Sequence, residues 1–242
     1  MIQIKNIYYS YECGVLALKD VSVQIKSGES VAFIGPNGSG KSTLMKLING
    51  LVNPSSGSYD FEGQNITSKK LQNDKFSKGF HKKIGFIFQN SEVQLFCSNV
   101  YDEIAFGIRQ MNMSEDDVSI RVLDILKLLK VEHLKDRQPY HLSGGEKRKI
   151  AIASVLVMNP EVLVFDEPMN GLDPESKRFL KKLMIELNEA GKTILCSTHD
   201  FEYVEDVFKR VVVFSNDHTI LRDGDYKEIM EDKKFLFDNN II

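Results

Sequence analysis

The stretch Gly35-Pro36-Asn37-Gly38-Ser39-Gly40-Lys41-Ser42, with Thr43 behind it, decides how this chain reads. It fits G-x-x-x-x-G-K-[ST], in which glycines let the backbone wrap closely and turn its N–H groups toward a polyphosphate. The surroundings fit as well. Ser30-Val31-Ala32-Phe33-Ile34 is a short apolar run of buried-strand type, and Leu44-Met45-Lys46-Leu47-Ile48 carries apolar residues at helical spacing. A strand, a glycine loop and a helix in that order bring a helix N-terminus, with its dipole and unpaired N–H groups, to the anion. Lys41 then reaches the β- and γ-phosphates, and the Ser42 hydroxyl holds Mg²⁺. The loop predicts a bound nucleoside triphosphate but leaves the purpose of its hydrolysis open.

The bulk properties narrow the options. A chain of 242 residues forms one large domain, or a domain with a smaller lobe, and can bury a substantial core. A net charge of −3 gives no general drive toward nucleic acid or anionic lipid. The basic clusters Lys69-Lys70, Lys82-Lys83 and Lys147-Arg148-Lys149 read as solvated surface. Cys13, Cys97 and Cys196 are scattered, without metal spacing, and suit a reducing compartment. No signal peptide and no apolar run of spanning length is expected, so any membrane role passes through a partner.

Around the loop the chain predicts an α/β fold. Residues 2–34 read as strands, with alternation that points to an antiparallel sheet with one solvated face. Residues 64–82 are polar and lysine-rich, a surface loop or short helix. Lys83 to Gln89 reads as a buried strand ending on an amide. Residues 90–142 turn helical: Val100, Ile104, Ala105 and Ile108 share one helix face, and Ser114 caps a second helix. Strand–helix alternation then returns, with buried runs at Val162 to Phe165, Thr193 to Cys196 and Arg210 to Phe214, which predicts a parallel sheet covered on both sides. From Tyr226 the chain reads as a terminal helix and a frayed end.

Several residues gain meaning from the loop. Asp166-Glu167 ends a buried strand, where one carboxylate reaches Mg²⁺ and the next, pointing differently, orients or deprotonates water. His199 and Gln89 also follow buried strands, so they fall at the same sheet edge; the first can donate to a γ-phosphate, the second can contact Mg²⁺ or the attacking water. Ser143-Gly144-Gly145 opens a helix and suits either an ordinary cap or a single terminal phosphate, the latter in another subunit's site. Tyr11 reads as an adenine stack or as a sheet tyrosine, and position alone favours the sheet.

Taken in order, the phosphate loop, Gln89, Leu142-Ser143-Gly144-Gly145-Glu146, Val162 to Glu167, Gly171-Leu172-Asp173 and His199 resemble the ABC ATPases, the nucleotide-binding subunits of ABC transporters. Glu146 stands where glutamine is commonest in that family. The resemblance implies a single ABC ATPase domain over residues 1–242. It has a phosphate-loop NTPase core with an N-terminal antiparallel β subdomain (1–89 and 158–242) and an inserted helical subdomain (90–157). It further implies two subunits sandwiching two ATP molecules head to tail. Tyr11 then stacks on adenine; Gly35, Pro36, Asn37, Gly38, Ser39, Gly40, Lys41, Ser42 and Thr43 hold the phosphates; and Ser42, Gln89 and Asp166 surround Mg²⁺. Glu167 is the general base, His199 contacts the γ-phosphate, Ser143, Gly144 and Gly145 complete the partner's site, and Asp173 couples the two sites.

Gln89 to Phe96 and Val100 to Gly107 resemble more narrowly the ATPases of energy-coupling-factor importers, which include cobalt and nickel importers and a vitamin-supplying group. Ser91 stands where those relatives often have proline, and a C-terminal extension found in many of them is missing. The partners implied are a second ABC ATPase subunit, itself or a paralogue, an integral membrane coupling subunit and a solute-capturing membrane subunit, with no nucleic acid. The expected place is the cytoplasmic face of the membrane, as a peripheral protein. A soluble ABC ATPase acting on DNA or ribosomes would typically carry tandem cassettes, coiled coils or basic extensions. An exporter cassette would usually be fused to membrane helices.

Overall fold

The computed structural model describes residues 1–111 and 113–242. From the N-terminus the chain runs β1 (Ile2–Ser10), β2 (Leu16–Ile25), β3 (Ser30–Ile34), α1 (Lys41–Ile48), β4 (Ser56–Phe61) and β5 (Gln64–Asn65). It continues through α2 (Ser68–Leu71), α3 (Asp74–Lys83), β6 (Ile84–Ile87), α4 (Val100–Arg109), α5 (Glu115–Leu128), α6 (Gly144–Leu156) and β7 (Val162–Asp166). It closes with α7 (Pro174–Glu189), β8 (Thr193–Ser197), α8 (Phe201–Val204), β9 (Arg210–Phe214), β10 (Ile220–Asp225), α9 (Tyr226–Glu231) and α10 (Lys233–Asp238).

Two sheets result. The smaller is antiparallel, in the order β2-β1-β4-β5. The larger runs β10-β9-β3-β8-β7-β6, parallel throughout except for β10 at its edge. Strands β3, β6, β7 and β8 are buried at every position, as a parallel sheet covered on both faces requires. Their side chains alternate between two cores. Val31, Phe33, Val162, Val164 and Leu195 face α1 and the antiparallel sheet. Ala32, Ile34, Leu163, Phe165, Ile194 and Cys196 face the side packed by α4, α5, α6 and α7. The loop helix is thus wedged between the two sheets, with Leu44, Met45, Leu47 and Ile48 fully buried.

Register then sets the site. Asp166 pairs with Ser197, Phe33 with Ser197 and Ile87 with Phe165. The carboxyl ends of β3, β6, β7 and β8 therefore come level, the edge at which open parallel sheets bind ligands.

Three regions hold more structure than the sequence expectation assigned them. Residues 64–82 hold two short helices, started by Thr67 and Asn73, whose side chains accept from the Lys70 and Phe76 N–H groups. Phe80 of α3 is buried edge-on against Tyr59 and Phe61. β10 escapes a pattern-based reading because its residues are polar and mostly exposed, the mark of an edge strand. The tail does not simply fray: α9 and α10 carry Tyr226, Ile229 and Leu236 into the helical-side core, and Ile241 joins them.

Gly85 lets α6 lie close to the sheet. A Cβ at this position would fall 2.3 Å from Val155 Cγ1 and 3.1 Å from Pro160 Cγ. Gly85→Ala is expected to overpack the α6–β6 contact and cost about 1–3 kcal/mol, read as a lower urea midpoint at unchanged slope.

Candidate active site

Residues 35–40 turn from β3 into α1 over the level strand ends. The turn needs glycine at Gly40, where φ is 107° and a Cβ would lie 2.2 Å from the Ala17 carbonyl oxygen of β2. No side chain caps α1, so its first N–H groups stay available to an anion. Lys41 is 5% exposed, and its ammonium donates to the carbonyls of Gly35 (2.8 Å) and Pro36 (2.9 Å). Burial lowers its pKa, while Glu167 and Asp166 act in the opposite direction.

The carboxylates end β7. Asp166 Oδ1 accepts from the hydroxyls of Ser42 (2.7 Å) and Ser197 (2.6 Å), which joins the phosphate loop to β7 and β8. Glu167 follows at φ 46°, an uncommon conformation for a side-chain-bearing residue. Its N–H donates to the Ser197 hydroxyl (3.0 Å) and carbonyl (3.1 Å). That backbone turn sends its side chain a different way from that of Asp166. Glu167 Oε1 lies 3.0 Å from His199 Nε2, whereas Oε2 is buried with no hydrogen-bond partner. A buried carboxylate oxygen without a partner, on a residue that lines a cleft, marks Glu167 as a candidate proton acceptor.

Lys41, Ser42, Glu167 and His199 line a cleft of about 450 Å³ together with Tyr11, Val15, Asn37, Gln89 and Asn170, and buried Asp166 is reached through its hydrogen bond from Ser42. Tyr11 is 37% exposed; its hydroxyl is 2.8 Å from Thr43 Oγ1 and its ring meets Tyr9 edge-on. Both sequence readings of Tyr11 thus have a basis: it belongs to the β1–β2 turn region and it faces the cleft. Ser42, Asp166 and Gln89 offer hard oxygen donors, the set that Mg²⁺ accepts beside phosphate oxygens. The described residues contain no cluster of three His, Cys, Asp or Glu side chains able to hold a metal alone. Another cavity, of about 430 Å³, lies under α3 between Phe61, Phe76 and Phe80, away from these groups.

Ser143, Gly144, Gly145 and Asp173 lie away from the cleft. Ser143 caps α6 in a reciprocal box with Glu146: its hydroxyl accepts from Glu146 N–H, and its own N–H and hydroxyl donate to Glu146 Oε2 at 2.8 Å. Gly144 borders a separate groove between Gln89 and Gly171. Gly145 packs on α7, where an added Cβ would lie 2.8 Å from Ser176 Oγ and 3.7 Å from Asp173 Oδ2. Asp173 caps α7 through the N–H groups of Glu175 and Ser176, and the Ser176 hydroxyl holds its carboxyl below the usual range. One chain does not bring these four to its own phosphate loop.

Sequence reasoning missed Ser197, the polar residue that ends an apolar strand and joins both acids. It also placed Arg148 on the surface, whereas Arg148 is 5% exposed; its partners lie far away in the chain. Ser197→Ala should leave Asp166 short of a donor and cost about 1–3 kcal/mol in denaturant unfolding.

The comparisons bear on this geometry. The ABC transporter family model matches residues 18–170. A Clostridium acetobutylicum protein named among ABC transporter ATP-binding proteins is 57% identical, covering 100% of both chains. The nickel import ATP-binding protein LarO of Lactiplantibacillus plantarum is 45% identical over 91% of each chain. The solved structure of cbiO1 from Clostridium perfringens, part of the ABC transporter complex cbiONQ, superposes with a TM-score of 0.84 at 37% identity, over 99% of this chain and 94% of that one. The chain belongs to the ABC transporter family, and it is the ATP-binding, ATP-hydrolysing subunit of a transporter.

Proposed function

We propose that this subunit powers an importer of the energy-coupling-factor type that takes up a nickel or cobalt ion, or a vitamin. The likeness to LarO over 91% of each chain carries the nickel reading, with the likeness to cbiO1 beside it, and the energy-coupling-factor type rests on the resemblance carried by Gln89 to Phe96 and Val100 to Gly107. No helix among the described residues is long and apolar enough to cross a membrane. In this reading the subunit works from the cytoplasmic face with membrane partners, a coupling subunit and a solute-capturing subunit.

In this reading ATP lies in the cleft. Lys41 and the N–H groups of Asn37 to Thr43 bind its phosphates, and Tyr11 stacks on the base. Ser42, Gln89 and Asp166 would hold Mg²⁺, which when bound neutralises charge on the phosphate oxygens. Glu167 takes the proton from an attacking water through its free oxygen. His199, whose Nε2 lies 3.0 Å from the other carboxylate oxygen, donates to the γ-phosphate. The exposed Ser143, with Gly144, Gly145 and Asp173, serves the cleft of a second subunit, itself or a paralogue, so two ATP molecules glue the pair and hydrolysis releases it. The main contribution of the site is positioning and fixed charge.

The helical stretch between β6 and β7 passes that movement on. Beyond the Gln89 loop stand Val93 (69% exposed), Phe96 (67%) and Phe106 (47%), the two phenylalanines edge to face at 4.9 Å. Buried Glu103 holds the Phe96 and Cys97 N–H groups and so fixes this apolar platform. It suits an apolar helix of the membrane subunit. Tyr101 is less available, being half-buried with Arg109 over its ring.

Glu167→Gln is expected to keep ATP affinity, slow turnover by about 10²- to 10⁴-fold and accumulate an ATP-bound dimer in size-exclusion chromatography. Turnover near wild type would remove Glu167 as base. In cells lacking the gene, nickel accumulation from limiting medium should fall; restoring the wild-type chain should recover it, while Phe96→Ser should not, although its ATPase activity persists. Unchanged uptake of nickel, cobalt and vitamins in those cells would refute the importer reading.

A further inference from the structure

We propose that Arg148 is a positioning residue for Gln89, holding the loop that follows β6 on α6 so that loop and helix move as one body. Arg148 lies in the first turns of α6 and is buried. One terminal nitrogen of its guanidinium donates to the Phe88 carbonyl and the other to the Gln89 carbonyl. Two consecutive carbonyls aimed at one rigid, planar cation fix the two peptide planes that flank Gln89 Cα. They thereby fix the direction in which the Gln89 side chain leaves the backbone. A lysine ammonium, a point charge on a flexible stem, can meet the carbonyls but imposes no plane.

The arrangement has a cost. The charge is met by two neutral carbonyls, and Nε is buried with no hydrogen-bond partner. Burying a cation on such terms is unfavourable against an apolar side chain of similar length. Stability alone does not account for it; geometry at Gln89 does.

Other contacts make the loop and helix a unit. The Gln94 amide accepts from Phe88 N–H (3.4 Å) and donates to Ala151 O (2.7 Å) and Ser154 Oγ (3.1 Å), closing the loop and tying its far end to α6. Lys147 of α6 pairs with Glu92 of the loop. Between these ties Gln89 is exposed and lines the cleft. The same helix carries Ser143 at its N-cap, outside this cleft. A displacement of Gln89 is therefore carried by Arg148 to the helix end that presents Ser143.

The inference rests on the proposed role of Gln89, and the experiment separates the two. Steady-state ATPase activity and ATP affinity are measured on the full chain for Arg148→Met, Arg148→Lys, Gln89→Ala and the Arg148→Met/Gln89→Ala double variant. Arg148→Met should lower kcat about tenfold through misplacement of Gln89, with ATP affinity and Tm near wild type. Arg148→Lys should recover part of that loss. The double variant should be no slower than Gln89→Ala alone, because residues acting through one another are not additive. Full turnover in Arg148→Met, a multiplied loss in the double variant, or lost ATP affinity together with a lowered Tm would each overturn the proposal. Full turnover in Gln89→Ala would remove the role of Gln89 in the site and this inference with it. Slow Gln89→Ala beside unimpaired Arg148→Met would reject the Arg148 inference alone.

Discussion

The pairing of Asp166 with Ser197 in the parallel sheet is the constraint from which the site is built. It sets the ends of β7 and β8 level, the pairings of β3 and β6 bring theirs alongside, and one hydroxyl stands between the Asp166 carboxyl and the Glu167 backbone. Ser197 donates to Asp166 and accepts from the backbone of Glu167, so neighbouring carboxylates are held apart by a backbone turn rather than by distance along the chain. Ser42 then ties the phosphate loop to the same aspartate. A shift of β8 by one residue would put Cys196 or Thr198 opposite Asp166 and undo all three links.

The site divides into groups that converge and groups that do not. Lys41, Ser42, Asp166, Glu167 and His199 are brought together by register and by the loop. Ser143 and Asp173 are held just as firmly, but as caps at the starts of α6 and α7. Both helix starts keep their caps within the subunit, which preserves the geometry of an exposed surface before anything docks there. ABC ATPases work as dimers with membrane components, and a cap that is already made needs little rearrangement on closure.

Much of this was legible in the sequence because its determinants are local. The phosphate loop is eight consecutive residues between a strand pattern and a helix pattern, and Asp166, Gln89 and His199 each follow an apolar run. The cap at Ser114 was readable for the same reason. What escaped depends on partners far away or on weak patterns. Arg148 sits in a basic triplet that reads as surface, and its acceptors are 60 and 59 residues distant. Ser197 acquires its role only once β7 and β8 pair. β10 is too polar to show a strand pattern, and the tail's two six-residue helices are too short to show a helical period.

The alternation of the central strands between two cores also bears on how the molecule comes apart. Val162 and Val164 belong to one core, Leu163 and Phe165 to the other, on a single strand five residues long. The sheet is a shared wall. Neither side can melt without stripping the backing from the other, so despite its two cores the subunit should lose structure in one cooperative step. A flaw in either core is then felt at the phosphate loop, whose helix leans on that wall.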